Sequence, residues 1–128
     1  MTTPEGSNVS VLIADDDPLV RRVLRMALES QGYTVSEAAD ASEVMAQAQR
    51  RHDLVVLDIN MPGGTVHDTL GGLRELHPEL PILVLSGEVS PPIDLPPALA
   101  DYARKPIELD DLLSRVRQLL ERSVISPP

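Results

Sequence analysis

Short apolar runs alternate along this chain with longer stretches in which apolar residues recur every three or four positions. Val11-Leu12-Ile13-Ala14 and Leu54-Val55-Val56-Leu57 are unbroken, the pattern of strands buried on both faces, and predict strands over residues 9–14 and 54–57. Pro18 suits the first turn of a helix, Val20, Val23, Leu24 and Ala27 supply its apolar face, and Gly32 stops it. Arg21, Arg22 and Arg25 fall off that face and predict a solvated surface. Residues 33–36 alternate as a half-buried strand does. Asp40 followed three residues later by Glu43 forms a capping box, opening a helix to about residue 51 with Val44, Met45 and Ala48 inward. A third helix is predicted over residues 66–76 on the stripe Leu70, Leu73 and Leu76, weakened by Gly71 and Gly72 at roughly 1 kcal/mol each against Ala. Residues 81–85 and 100–103 read as further strands. Leu109, Leu112, Leu113, Val116, Leu119 and Leu120 mark the clearest amphipathic helix.

Residues 88–99 break the rhythm. They hold Pro91, Pro92, Pro96 and Pro97, and a proline inside a helix costs about 3 kcal/mol. A loop is expected there in place of the fourth covering helix. With that exception the order is βα repeated five times. Such an order predicts a parallel sheet with helices on both faces and right-handed crossovers. Residues 9–122 are expected to form the domain, with 1–8 as a flexible leader and 123–128 as a tail or the start of a linker.

This arrangement gives the acids their meaning. Asp15, Asp16 and Asp17 directly follow the first strand, and Asp58 directly follows the third. In an open α/β sheet those strand ends lie side by side, where such sheets bind ligands. Neighbouring carboxylates resist joint ionisation, so a cluster of this kind suits a divalent cation or carboxylate chemistry.

Composition narrows the rest. At 128 residues the chain suits one domain, and its core must be almost wholly aliphatic, with two Tyr, no Phe and no Trp. A net charge of −9 and a pI near 4.6 argue against nucleic-acid binding by this domain and against anionic membranes. The absence of Cys excludes disulfides and thiolate chemistry. His52, His67 and His77 share no ligand spacing. No stretch approaches the roughly 18 apolar residues of a membrane span, and the first ten residues carry no signal-peptide core; a cytoplasmic location is expected.

Four segments then fall into register with a known family: Val11-Leu12-Ile13-Ala14-Asp15-Asp16-Asp17-Pro18, Leu57-Asp58-Ile59-Asn60-Met61-Pro62-Gly63, Leu83-Val84-Leu85-Ser86-Gly87, and Tyr102-Ala103-Arg104-Lys105-Pro106. Over about residues 9–121 the chain resembles the receiver domain of bacterial two-component response regulators, the chemotaxis-regulator type. The resemblance implies a flavodoxin-like, doubly wound five-stranded sheet of order 2-1-3-4-5, here with helix 4 shortened or missing. It implies Asp58 as phosphoacceptor. Asp16 and Asp58 would be direct ligands of Mg²⁺ (or Mn²⁺), Asp15 a ligand through water, and Asn60 a ligand through its backbone carbonyl. Lys105 would pair with Asp58 or its phosphate, and Ser86 would hydrogen-bond a phosphoryl oxygen. Ser86 and Tyr102 would form the switch, while Asn60 and Glu88 would tune hydrolysis of the acyl phosphate. Lys105-Pro106 matches the family's cis peptide. The partner implied is a sensor histidine kinase or a histidine phosphotransfer protein. Charge supports the metal: the three acids bring about −3, and one Mg²⁺ with Lys105 about +3.

Three positions depart from the family pattern. Val66 stands where Gly is usual, the stretch from Ser86 to Lys105 is short and proline-rich, and Asp17 replaces a common Glu. Two other functions compete with a phosphorylation switch. A haloacid-dehalogenase-type phosphatase would carry a second Asp two residues after the nucleophile, where this chain has Asn60, and the chain is too short for the usual cap. A receiver fold kept only as an unphosphorylated interaction module draws weight from Val66 and the proline-rich stretch. The intact set of Asp15, Asp16, Asp58, Ser86 and Lys105 weighs against it.

Overall fold

A computed structural model describes residues 9–61, 63, 65–87 and 100–125. In chain order the elements are β1 (Ser10–Ala14), α1 (Pro18–Glu29), β2 (Thr34–Ala38), α2 (Ala41–Gln47), β3 (Leu54–Asp58), α3 (Val66–Leu76), β4 (Ile82–Ser86), β5 (Ala100–Arg104) and α4 (Leu109–Ile125). The expected leader, residues 1–8, and the expected loop, residues 88–99, lie outside the described residues. The final helix reaches Ile125, past residue 122.

All strand pairs are parallel, in the order β2-β1-β3-β4-β5 that the sequence reading anticipated. Period-two alternation sorts the strand residues between two cores. Val11, Ile13, Leu54, Val56, Leu83 and Leu85 face one side, under Leu24, Ala27 and Leu28 of α1 and Leu112, Val116 and Leu119 of α4. Leu12, Ala14, Val55, Leu57, Ile82 and Val84 face the other, under Val44 and Ala48 and under Leu70 and Leu73 of α3. Both faces of β1, β3 and β4 are therefore covered, which is why their sequences are apolar without interruption.

The helix starts follow local chemistry. Asp17 caps α1 by accepting from the Leu19 amide at 2.9 Å, with Pro18 in the first turn. Asp40 accepts from the Glu43 amide at 2.8 Å, and Glu43 reaches back to the Ala39 amide at 2.6 Å, closing a reciprocal cap. Thr65 caps α3 through the Asp68 amide at 3.1 Å.

Two details differ from the sequence reading. The buried stripe of α1 is Leu24, Ala27 and Leu28, while Val23 is half exposed and Leu19 and Met26 are more so. Leu28, fully buried, fills the place on that stripe that was expected for Val23. Helix α2 ends at Gln47, since Gln49, Arg50 and Arg51 offer the core nothing apolar, and the chain turns so that the Asp53 amide bonds the Ser10 carbonyl at 2.7 Å. His52, buried in this turn, contacts the Ser10 hydroxyl at 3.2 Å and the Gln47 carbonyl at 2.9 Å.

The glycine pair of α3 divides its roles. A β-carbon at Gly72 would lie 2.8 Å from the Met45 methyl, so that glycine admits Met45 between α2 and α3. A β-carbon at exposed Gly71 meets nothing. Gly71→Ala therefore recovers helix propensity without a clash and should raise stability by about 0.5–1 kcal/mol. Urea unfolding checks this; an unchanged or lower midpoint would count against the packing described.

Candidate functional site

Four strands deliver chemistry to one edge of the sheet. Asp15 follows β1, Asp58 ends β3, Ser86 ends β4, and Lys105 follows β5. Parallel pairing aligns these ends: Ala14 lies beside Leu57, Asp58 beside Leu85, and Ser86 beside Arg104. The alternation that turns Ile13, Val56 and Ala103 toward the α1–α4 side turns Asp15, Asp58 and Lys105 the same way two residues later.

The side chains meet there. Asp15, Asp16 and Asp58 each offer a carboxylate oxygen, and these atoms lie within 4.8 Å of one another. Asp15 and Asp58 are buried, while Asp16 faces solvent. Lys105 Nζ stands 3.3 Å from Asp58 Oδ1 and 3.5 Å from Asp15 Oδ2, bridging the two buried acids. Asp58 Oδ1 also accepts from the Asn60 amide at 3.1 Å, and Asp15 Oδ1 accepts from the Asp17 amide at 2.9 Å. The Lys105 amide donates to the Ser86 carbonyl at 2.7 Å, tying the ends of β4 and β5 together.

The electrostatics follow from burial and crowding. Burial is the main cause that raises the Asp15 pKa above its ordinary 3.8; the Asp58 charge adds to it, while the Asp17 amide and Lys105 oppose it. Burial disfavours the Lys105 ammonium, yet the fields of Asp58 and Asp15 outweigh that penalty and hold its pKa above 10.5. The lysine is therefore charged at neutral pH and offsets one of three negative charges. Three carboxylates with one ammonium form a hard, oxygen-rich and still negative pocket, the donor set that suits Mg²⁺ or Mn²⁺.

The other expected residues are placed as follows. Ser86 is buried at the end of β4. Asn60 is exposed on the turn after Asp58. Tyr102 is partly buried against the α2–α3 core, with its backbone carbonyl held by Arg115 at 2.7 Å. Lys105-Pro106 is cis. In the loop after Asp58 a positive φ of 93° falls on Gly63, and Val66 opens α3. Glu88 lies outside the described residues, and the side chain of His67 is not described.

Sequence reasoning missed a basic clamp behind the acids. Arg21, expected in solvent, is largely buried, at 17% exposure. Its Nε pairs with Glu37 Oε1 at 3.0 Å, and its Nη1 donates to the Asp15 carbonyl at 2.6 Å. Arg25 pairs with the other Glu37 oxygen at 2.7 Å. Arginines one turn apart on α1 were the available signal, but their shared partner sits on a strand distant in sequence.

Comparison with known proteins bears on family and fold. The family described as "Response regulator receiver domain" matches residues 11–117. The probable transcriptional regulatory protein TcrX of Mycobacterium tuberculosis is 34% identical over 130 residues, covering 98% of this chain and 56% of its own length. The response regulator MprA of Mycobacterium ulcerans is 40% identical over 120 residues, covering 91% of this chain and 52% of its own. The chain thus spans about half the length of these relatives. Among solved structures, a CheY-like receiver domain protein from Methanospirillum hungatei superposes with a TM-score of 0.83 at 27% identity, covering 93% of this chain and 98% of its own. The response regulator TrrA of Thermotoga maritima, solved in complex with Mg²⁺-BeF, gives 0.76 at 29% identity, covering 87% and 98%.

The raised Asp15 pKa has a consequence for stability. Folded protein holds the Asp15 proton to higher pH than unfolded chain does, so stability falls as pH rises from 3.8 through the raised folded value. Urea unfolding in chelator across that range should show this component in the wild type and its loss in Asp15→Asn. Identical pH profiles for the two proteins would contradict the assignment.

Proposed function

We propose that this chain, which belongs to the response regulator receiver domain family of two-component systems, accepts a phosphoryl group on Asp58 and answers with a change of conformation. The donor is the phosphohistidine of a sensor histidine kinase or of a histidine phosphotransfer protein. The observation that carries this reading is the meeting of Asp15, Asp16 and Asp58 within 4.8 Å, with Lys105 Nζ against two of them.

The donor set fits a hard divalent cation. Asp16 and Asp58 would hold Mg²⁺ directly, Asp15 through water and Asn60 through its backbone carbonyl. When bound, the ion supplies charge neutralisation on the group being transferred. The solved relative with Mg²⁺-BeF supports the same use of the pocket.

The chain's own residues do the rest. The Asn60 amide and Lys105 Nζ both contact Oδ1 of Asp58, which fixes the carboxylate and leaves Oδ2 to attack phosphorus. The new P–O bond forms as the donor's P–N bond breaks, and the leaving imidazole keeps the electron pair and takes a proton from solvent. Phosphoryl transfer needs little beyond positioning and charge balance, and both are built in here. After transfer the Ser86 hydroxyl donates to a phosphoryl oxygen and Lys105 pairs with another, two charge-assisted bonds absent beforehand. To carry a switch from 1:99 to 99:1, phosphorylation must favour one state by roughly 5.5 kcal/mol. Ser86 at the end of β4 and Tyr102 within β5 transmit that bias. Asn60, beside the acyl phosphate, and Glu88 set how fast it hydrolyses. The domain is thus a switch that brings its own transfer chemistry and not a turnover enzyme.

A kinase donor implies a cytoplasmic setting, and no helix among the described residues is long and apolar enough to cross a membrane. The names of the relatives, a transcriptional regulatory protein and a response regulator, support an output through a partner or a fused domain.

Incubation with acetyl phosphate tests the reading. Intact mass should show one added phosphoryl group with Mg²⁺ and none with chelator. Asp58→Asn should take up none, whereas Ser86→Ala should still be phosphorylated but lose the chemical-shift changes on β4 and β5. Full labelling of Asp58→Asn, or equal labelling without divalent cation, would overturn it.

A further inference from the structure

We infer that Arg21 is a positioning residue for the acid pocket: its guanidinium, aimed by Glu37, clamps the Asp15 carbonyl and so places Asp16 for a divalent cation. The inference rests on the reading of this pocket as a Mg²⁺ site.

Asp16 is the one acid of the three that faces solvent, so burial does not hold its carboxylate in place. Its position is inherited from the backbone before it. The peptide bond is planar, so fixing the Asp15 carbonyl oxygen and the atoms before it also fixes the Asp16 nitrogen and α-carbon. Asp15 is held through both of its backbone groups, one on each side of its α-carbon. The Asp15 amide donates to the Ala38 carbonyl of β2 at 3.1 Å, and the Asp15 carbonyl accepts from Arg21 Nη1 at 2.6 Å. Beyond Asp16, the Asp17 amide is tied to Asp15 Oδ1 at 2.9 Å.

The clamp is itself pre-set. Arg21 Nε bonds Glu37 Oε1 at 3.0 Å while its Nη1 lies on the Asp15 carbonyl, so these two contacts give the Arg21 fork one orientation, and Arg25 Nη1 takes the other Glu37 oxygen at 2.7 Å. Among the described residues Arg25 pairs with Glu37 and Glu29 and not with Asp15. The two arginines thus share a partner and a charge but differ in reach to the pocket. Groups that orient metal ligands from outside the coordination sphere commonly set affinity by about 10-fold to 100-fold.

The difference between the arginines makes the test. Mg²⁺ titration followed by amide NMR gives Kd for the wild type, Arg21→Met, Arg21→Lys and Arg25→Met, with urea midpoints measured in parallel. Arg21→Met should weaken Mg²⁺ binding by about tenfold and broaden or shift the Asp16 amide, Arg21→Lys should recover part of the loss, and Arg25→Met should stay within about twofold of wild type. An Arg21→Met Kd equal to wild type, or equal losses in Arg21→Met and Arg25→Met, would overturn the inference, the second outcome marking a general loss of charge. If Arg21→Met does not fold, Glu37→Gln takes its place: it removes the charge that aims Arg21, and an unchanged Kd there also overturns the inference. A wild type that binds no Mg²⁺ would instead refute the metal-site reading beneath it.

Discussion

Three carboxylates held within 4.8 Å are the constraint around which this molecule is arranged. Two unit charges about 4 Å apart repel by about 4 kcal/mol at an effective dielectric of about 20. A fold keeps such a cluster only if rigid elements hold it and opposite charge offsets it. Here parallel strands give the rigidity, and Lys105 gives the only ammonium that the described structure brings against the buried pair. One lysine against three acids leaves the pocket negative. That residual charge makes the site receptive to a cation, and in the function proposed above the acceptance of a phosphoryl group depends on one.

The doubly wound sheet is what allows acids distant in sequence to meet. Parallel register brings the ends of β1, β3, β4 and β5 to one edge, and the pleat turns Asp15, Asp58 and Lys105 to one side of it. Both faces are buried under aliphatic side chains, since the described core contains no Phe or Trp and Tyr33 and Tyr102 only border it. Behind the acids, the Arg21–Glu37–Arg25 cluster joins α1 to β2 and reaches the backbone between Asp15 and Asp16. Strand ends set the positions of the buried acids, and this basic cluster holds the carbonyl just before the exposed one.

Much of this was legible in the chain. Val11-Leu12-Ile13-Ala14 and Leu54-Val55-Val56-Leu57 read as strands because double-sided burial leaves no room for polar alternation, and the acids that follow them fell at the right edge for the same reason. Asp40 and Glu43 announced α2 because capping is local chemistry. What escaped was contact between distant segments. Arg21 and Arg25 have the spacing of an ordinary solvated helix face, and nothing on α1 reveals that Glu37 waits on the neighbouring strand. The end of α2 at Gln47 carries no stop residue, and the place of Gly72 depends on Met45 from another helix. Local propensity and periodicity do not encode such pairings; tertiary packing decides them.

The central claim is that the three acids, given a divalent cation, form a receptor for a phosphoryl group on Asp58. Beryllofluoride, a stable mimic of that group, tests it without relying on any donor. Amide NMR of the wild type should show changes centred on Asp58, Ser86 and Lys105 when beryllofluoride and Mg²⁺ are both present, and none with either omitted. Changes of the same size without Mg²⁺, or no change at these residues with it, would contradict the account.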